Sequence, residues 1–277
     1  MTRPDPDITL AVNLRNPGQF FACCGVLELA SRLWPACRDN GWRSPEGWFE
    51  RDGSRASFHI VTSSGDDAPL VTLIRRLVEP DELVVLAEDH EAQAQADRKP
   101  VVIRPFDLRL DWWLYSYQGA DKSELKVWAG QQTPERNVNG LRAAWREIVA
   151  RAPERIAGVD LFSAQWPTTG RFGFDPSASW DAQNVGFSPD EQGIPVLTSP
   201  ATEILAAIGL QRCRPVRVAA GRRWFSYRAW ADPLDVTVAP AAVAGVGRCV
   251  AGYAFPVEMR NAQYGSFGRA KPLEERR

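Results

Sequence analysis

An α+β protein, with mixed or antiparallel sheets and packed helices, is the fold class this sequence predicts, and three observations predict it. Segments of period two and segments of period 3.6 alternate along the first eighty residues. Two helices open on a proline directly after a capping residue type or a turn. The 277 residues are 44% apolar without any repeat, which is enough to fill one sizeable core. The expected organisation is one α+β unit over residues 1–277, with room for two lobes meeting near residue 160.

The first strand is expected from Ile8 to Leu14, with Ile8, Leu10, Val12 and Leu14 on one face. Asn16-Pro17 then reads as an N-cap followed by proline at the first helical position. The helix should run to Trp34, where Pro35 stops it, and Phe20, Cys23, Leu27, Ala30 and Trp34 form a stripe expected to pack on the sheet. Trp48-Phe49 and Ala56 to Val61 read as short strands, and Ala68 to Val78 as a second amphipathic helix. Residues 88–100 lack periodicity and read as an exposed loop. Val101 to Arg104 and Phe106 to Leu114 carry a strand signal, and Asn139 to Ala150 a helix with Leu141, Ala144, Trp145 and Ile148 inward. From Val159 the chain is loop-like until Pro200 starts a helix over Ala201 to Leu210. Pro215 to Ala219 and Arg223 to Trp230 read as a hairpin turning at Ala220-Gly221, Leu234 to Val238 as a further strand, and residues 265–277 as a mobile tail.

Several function classes find no support. The longest apolar run, Phe20 to Leu27, is far short of the roughly 20 residues that span a bilayer, and no leader pattern opens the chain, so a cytoplasmic protein without a membrane partner is expected. Five cysteines without CxxC spacing argue against a zinc ribbon or a disulfide framework. The two histidines, His59 and His90, fit no ligand spacing; GxSxG, GxxxxGK[ST] and GxGxxG are all missing, so no metal or cofactor is expected. Among carboxylates, Asp107 and Asp111 share a predicted strand face with Arg109 between them, a salt-bridged surface rather than a metal site. Asp160 is a lone candidate and Asp175 is a candidate with Asp181, but Asp175 before Pro176 suits a turn in which Asp bonds its own backbone. A divalent-metal nuclease on Asp107, Asp111 or Asp175 is the enzyme alternative to a non-enzymatic protein.

Charge is unevenly placed in a chain of net charge −1. Residues 46–91 hold eleven acids against four arginines, a local −7. From Ile204 to Ala231 there is no acid and there are six arginines: Arg212, Arg214, Arg217, Arg222, Arg223 and Arg228. Trp224, Phe225, Tyr227 and Trp230 are interleaved with them, and on a strand Arg223, Phe225 and Tyr227 would share one face, Trp224, Arg228 and Trp230 the other. Guanidinium groups beside flat rings neutralise phosphates and stack on bases, so RNA or DNA is the expected partner. A weaker second site is Lys126, Trp128, Gln131 and Gln132. The same residue types also favour a protein interface.

Four segments together resemble a family of type I-U, now I-G, CRISPR-associated proteins: NLRNPGQFFACCGVLELASRLWP at 13–35, LKVWAGQQ at 125–132, FGFDPSASWDAQNVGFSP at 172–189 and ATEILAAIGLQRCRP at 201–215. The pattern departs at Ser177-Ala178-Ser179, where an arginine is expected. The resemblance implies a non-enzymatic subunit or accessory of an RNA-guided antiviral complex, with ferredoxin-like, RNA-recognition-like lobes that the mixed strands and helices permit. Its partners would be crRNA, target DNA, the other complex subunits and the helicase–nuclease. Base pairing then reads sequence while protein arginines hold backbones.

Overall fold

Antiparallel pairing organises the chain: every strand pair among the described residues is antiparallel. The computed structural model describes residues 3–37, 41, 43–79, 84–86, 101–110, 134–152, 160–168, 170–178, 196–218, 223–259 and 265–273. The expected α+β class, with antiparallel sheets and packed helices, is what these residues form.

Four strands make the first sheet, in the order β1 (Ile8–Ala11), β3 (Arg55–Val61), β2 (Glu46–Asp52), β11 (Leu234–Asp235). β2 and β3 form a hairpin closed at Gly53, whose φ of 58° suits a residue without Cβ. A second sheet runs β13 (Gly265–Phe267), β12 (Cys249–Met259), β10 (Trp224–Trp230), β9 (Val216–Arg217), with β14 (Lys271–Pro272) also on β12. Smaller sheets join β4 (Val84–Leu86), β5 (Val101–Ile103) and β6 (Leu108–Leu110), and β7 (Trp166–Thr168) with β8 (Val196–Thr198).

Helix α1 (Pro17–Leu33) begins as its sequence dictates, with the Asn16 side chain accepting the Gln19 N–H and proline at N1. The expected single inward stripe is corrected: Pro17, Gly18 and every residue from Phe20 through Ala30 are buried, so the burial runs round the helix. Two sheets and a second helix enclose α1 together. Phe20 stacks on Phe49 of β2 at 5.1 Å and on Tyr227 of β10 at 4.3 Å, while Phe21 meets Phe255 and Phe267. The remaining helices are α2 (Pro69–Val78), α3 (Pro134–Arg151), α4 (Pro200–Arg212) and the short α5 (Ala239–Val243). α4 is capped by the Ser199 hydroxyl, which accepts the Thr202 N–H. α3 starts five residues before the expected Asn139, and its Arg142 and Arg146 reach across to donate to the last carbonyls of α2, at Leu77 and Val78.

Other expectations shift. Asp107 is not on a strand: it is the left-handed turn residue, φ 46°, between a short 3-10 turn (Arg104–Phe106) and β6. It therefore shares no strand face with Arg109, and Asp111 lies outside the described residues, as do 88–100 and Asp181. The loop-like stretch after Val159 contains β7 and β8, and the strand expected over 234–238 is only β11. The tail expected from residue 265 is, as far as residue 273, part of the second sheet: β13 and β14 pair with β12, and Phe267 is fully buried. Its apolar residues are few, but Phe267 and Ala270 land in the core, which a periodicity test over so short a segment does not register. No helix among the described residues is long and apolar enough to cross a membrane.

Candidate nucleic-acid interface

Alternation along β10 sorts the arginine and aromatic cluster into two faces. Phe225, Tyr227 and Ala229 point into the core, where Tyr227 donates its hydroxyl to the Leu14 carbonyl at 2.6 Å and burial lifts its phenol well above the ordinary value. Trp224, Ser226 and Arg228 lie half-buried on the outer face. Trp230 was expected beside Trp224 and Arg228, but a register shift between Ala229 and Trp230 turns it inward. There its indole N–H donates to the Gly47 carbonyl at 2.6 Å, and its ring meets Phe49 edge-on at 4.8 Å. Phe225, Tyr227 and Trp230 are thus core residues and cannot serve as stacking plates. Trp224 alone of the four remains at the surface.

The arginines divide as well. Arg212 is a structural partner of Glu28 on α1: its Nε and Nη2 donate to the Glu28 carboxylate at 2.6 and 3.3 Å, and Arg32 Nε donates to it at 2.7 Å. Burial opposes the charge of Glu28, yet the hydrogen bonds from Arg212 and then Arg32 hold its carboxyl below the ordinary value. Arg32 continues the chain to the Phe106 and Asp107 carbonyls. Arg214 donates to the Gln211 carbonyl at 3.3 Å and stays exposed. Arg217 on β9 and Arg223, just before β10, are exposed. Arg228 lies across two glycines: a Cβ on Gly245 would sit 2.7 Å from its Nε, and one on Gly252 3.4 Å from its Nη1. Gly245, at φ 108°, and Gly252 therefore leave a berth that lets the guanidinium lie along the outer face.

A further cation reaches this face from the segment that sequence reasoning set aside as a tail. Lys271 on β14 places its ammonium 5.6 Å from the centre of the Trp224 ring. The signal that could have found it is the pairing of β14 with β12, which no local pattern carries. One carboxylate, Glu258, stands on the outer side of β12 by alternation, closing over Gly268. Arg222 and the weaker site at Lys126, Trp128, Gln131 and Gln132 lie outside the described residues.

The FGFD segment serves another purpose. Glu203, fully buried in the first turn of α4, accepts four backbone N–H groups: those of Phe172 and Gly173 on one oxygen, at 2.8 and 2.9 Å, and those of Phe174 and Asp175 on the other, both at 3.0 Å. Asp175, as expected of an Asp before proline, folds back on its own turn by accepting the Ser177 N–H, and it also accepts from the Asn16 side chain that caps α1. The segment thus clamps the starts of α1 and α4 together. Among the described residues no three His, Cys, Asp or Glu side chains gather as a metal site would require.

No protein-family model, no curated protein and no solved structure matches this chain.

Proposed function

We propose that the chain is a non-enzymatic, nucleic-acid-binding component of a type I-U/I-G CRISPR complex, binding a single strand across the outer face of the β9–β10–β12–β14 sheet. The observation that carries the reading is Trp224 with Lys271 over its ring, Arg223 immediately before it and Arg228 further along the strand, in a stretch without a carboxylate from residue 204 to 231. Cations along an extended strand neutralise a phosphate backbone, and an indole offers a stacking surface that accepts any base. A base arriving on Trp224 displaces the Lys271 ammonium, which is then free to meet the adjoining phosphate. The four segments at 13–35, 125–132, 172–189 and 201–215 support the assignment to the complex, and the ferredoxin-like lobes that the family resemblance implies belong to the same proposal.

The test is fluorescence anisotropy of a labelled single-stranded RNA and of the matching DNA, titrated with the full chain at several salt concentrations. Affinity should fall steeply with salt, and R223A/R228A/K271A should weaken it and flatten the salt slope by about one unit for each phosphate that is no longer neutralised. Wild-type affinity that ignores salt, or a triple variant that binds like wild type, defeats the proposal and leaves this face as a protein interface.

A further inference from the structure

A cavity of about 830 Å³ opens along β1. Arg15 lines it from the turn before α1, and Arg51 and Arg55 from the end of β2 and the start of β3. All three arginines are exposed, and among the described residues none has a carboxylate partner; the one side-chain bond they make is from Arg51 Nε to the Gly53 carbonyl, 3.0 Å away. Among the described residues a single acid, Asp160, also lines it, and the rest of the polar lining is neutral hydroxyl and amide. The cavity therefore carries a net excess of two positive charges in a concave site, where field lines concentrate.

The strand edge adds a second kind of recognition. β1 ends its sheet, and Val12 donates to the Ala56 carbonyl. In an antiparallel ladder hydrogen-bonded pairs alternate, so with Thr9 opposite His59 and Ala11 opposite Ser57 the backbone groups of Thr9 and Ala11 turn toward the open edge. Both residues line the cavity. An open edge of this kind offers N–H donors and C=O acceptors in alternation, the same vocabulary as the edge of a nucleobase. Guanidinium forks match phosphate oxygens. The volume far exceeds one phosphate and lies within the range of sites that hold a small organic ligand.

We propose that this cavity is a nucleotide-binding site that holds one unit of a single strand, its phosphates on Arg15, Arg51 and Arg55 and its base edge against β1. None of these residues belongs to the outer face of the second sheet, so the site goes beyond the sheet-face reading. It places a second grip on the strand.

Isothermal titration of the full chain with a 5′-phosphorylated dinucleotide, and with the corresponding mononucleotide, tests this. R15A/R51A/R55A should weaken dinucleotide binding by roughly ten- to a hundredfold, as expected for lost charge-assisted hydrogen bonds. Because the three side chains are exposed, the thermal midpoint of that variant should stay at the wild-type value. R75A/R76A, at exposed positions of α2 outside both surfaces, should bind the dinucleotide as wild type does. Dinucleotide affinity above that of the mononucleotide supports a strand; equal affinity overturns the strand in favour of a free nucleotide. Failure of wild type to bind the dinucleotide, or unchanged binding by R15A/R51A/R55A, overturns the site altogether. A wild type that binds long RNA but no dinucleotide would overturn this site and leave the sheet-face reading intact.

Discussion

Glu203 shows how one side chain can organise a fold from inside it. Two effects compete there: burial pushes its carboxyl up to about 7, while N–H donation from Asp175 and Phe172 favours the charged form. The folded-state value thus lies above the ordinary 4.5 of an unfolded chain, so the folded state gains from taking up a proton. Stability should rise as pH falls from above 7 toward 4.5, by on the order of 3 kcal/mol in total, and this contribution is lost as pH rises through 7. Urea midpoints at pH 8 and pH 5.5 check the sign; a flat profile between them would refute it. Gln at this position would turn an amide N–H₂ toward two backbone donors, so E203Q should cost about 2–3 kcal/mol at pH 8 and remove the pH slope. Tyr227 makes a parallel case about function. Having lost its place as a stacking plate, it should behave purely as core: Y227F should cost about 1–2 kcal/mol through the orphaned Leu14 carbonyl while leaving RNA affinity unchanged. Any large loss of affinity in a folded Y227F would return Tyr227 to the interface.

At the scale of elements, the contact between α1 and α4 sets the tightest demand. A Cβ on Gly25 would sit 2.0 Å from the Leu205 carbonyl oxygen, and one on Gly209 would sit 2.0 Å from that of Phe21. Backbone, not a flexible side-chain end, blocks each position, so the helices must separate to admit a methyl group. G25A and G209A should each cost about 3 kcal/mol or more, measured by chemical denaturation, although alanine is the better helix former. A neutral or stabilising effect would mean the helices do not approach so closely. The local signals at these elements were legible: Asn16-Pro17 and the proline at 200 open helices for reasons confined to a few residues, and the strand period of 224–230 is visible in the sequence. Which face of β10 is inward was not legible, because Phe20 and Phe21, some 200 residues earlier, decide it. The bulge at Trp230 and the partnership of Glu28 with Arg212 are likewise set by distant packing. The site therefore kept its exposed arginines, gave three of its four aromatics to the core, and gained Lys271 from across the sheet.

Over the whole molecule, one ring joins the two main sheets. Phe20 lies between Phe49 of the first sheet and Tyr227 of the second, and meets Trp230 edge-on at 6.2 Å. Other ties cross the same divide: β11 of the first sheet follows directly from β10 of the second, Trp230 donates to Gly47, and the Ala270 N–H donates to the Arg15 carbonyl at 2.9 Å. Such packing makes it costly for one sheet to open while the other stays folded, since the exposed faces would be those of Phe20, Tyr227 and Trp230, all buried. The expected behaviour is a single cooperative transition, followed identically by tryptophan fluorescence and by far-ultraviolet circular dichroism. F20A should lower stability by about 3–5 kcal/mol and move both probes together. Two separated transitions in wild type, or an F20A variant in which only one probe shifts, would show instead that the sheets fold as independent lobes. The outcome bears on binding too, because the outer face of the second sheet and the cavity along β1 can grip one strand at a fixed spacing only if the two sheets move as one body.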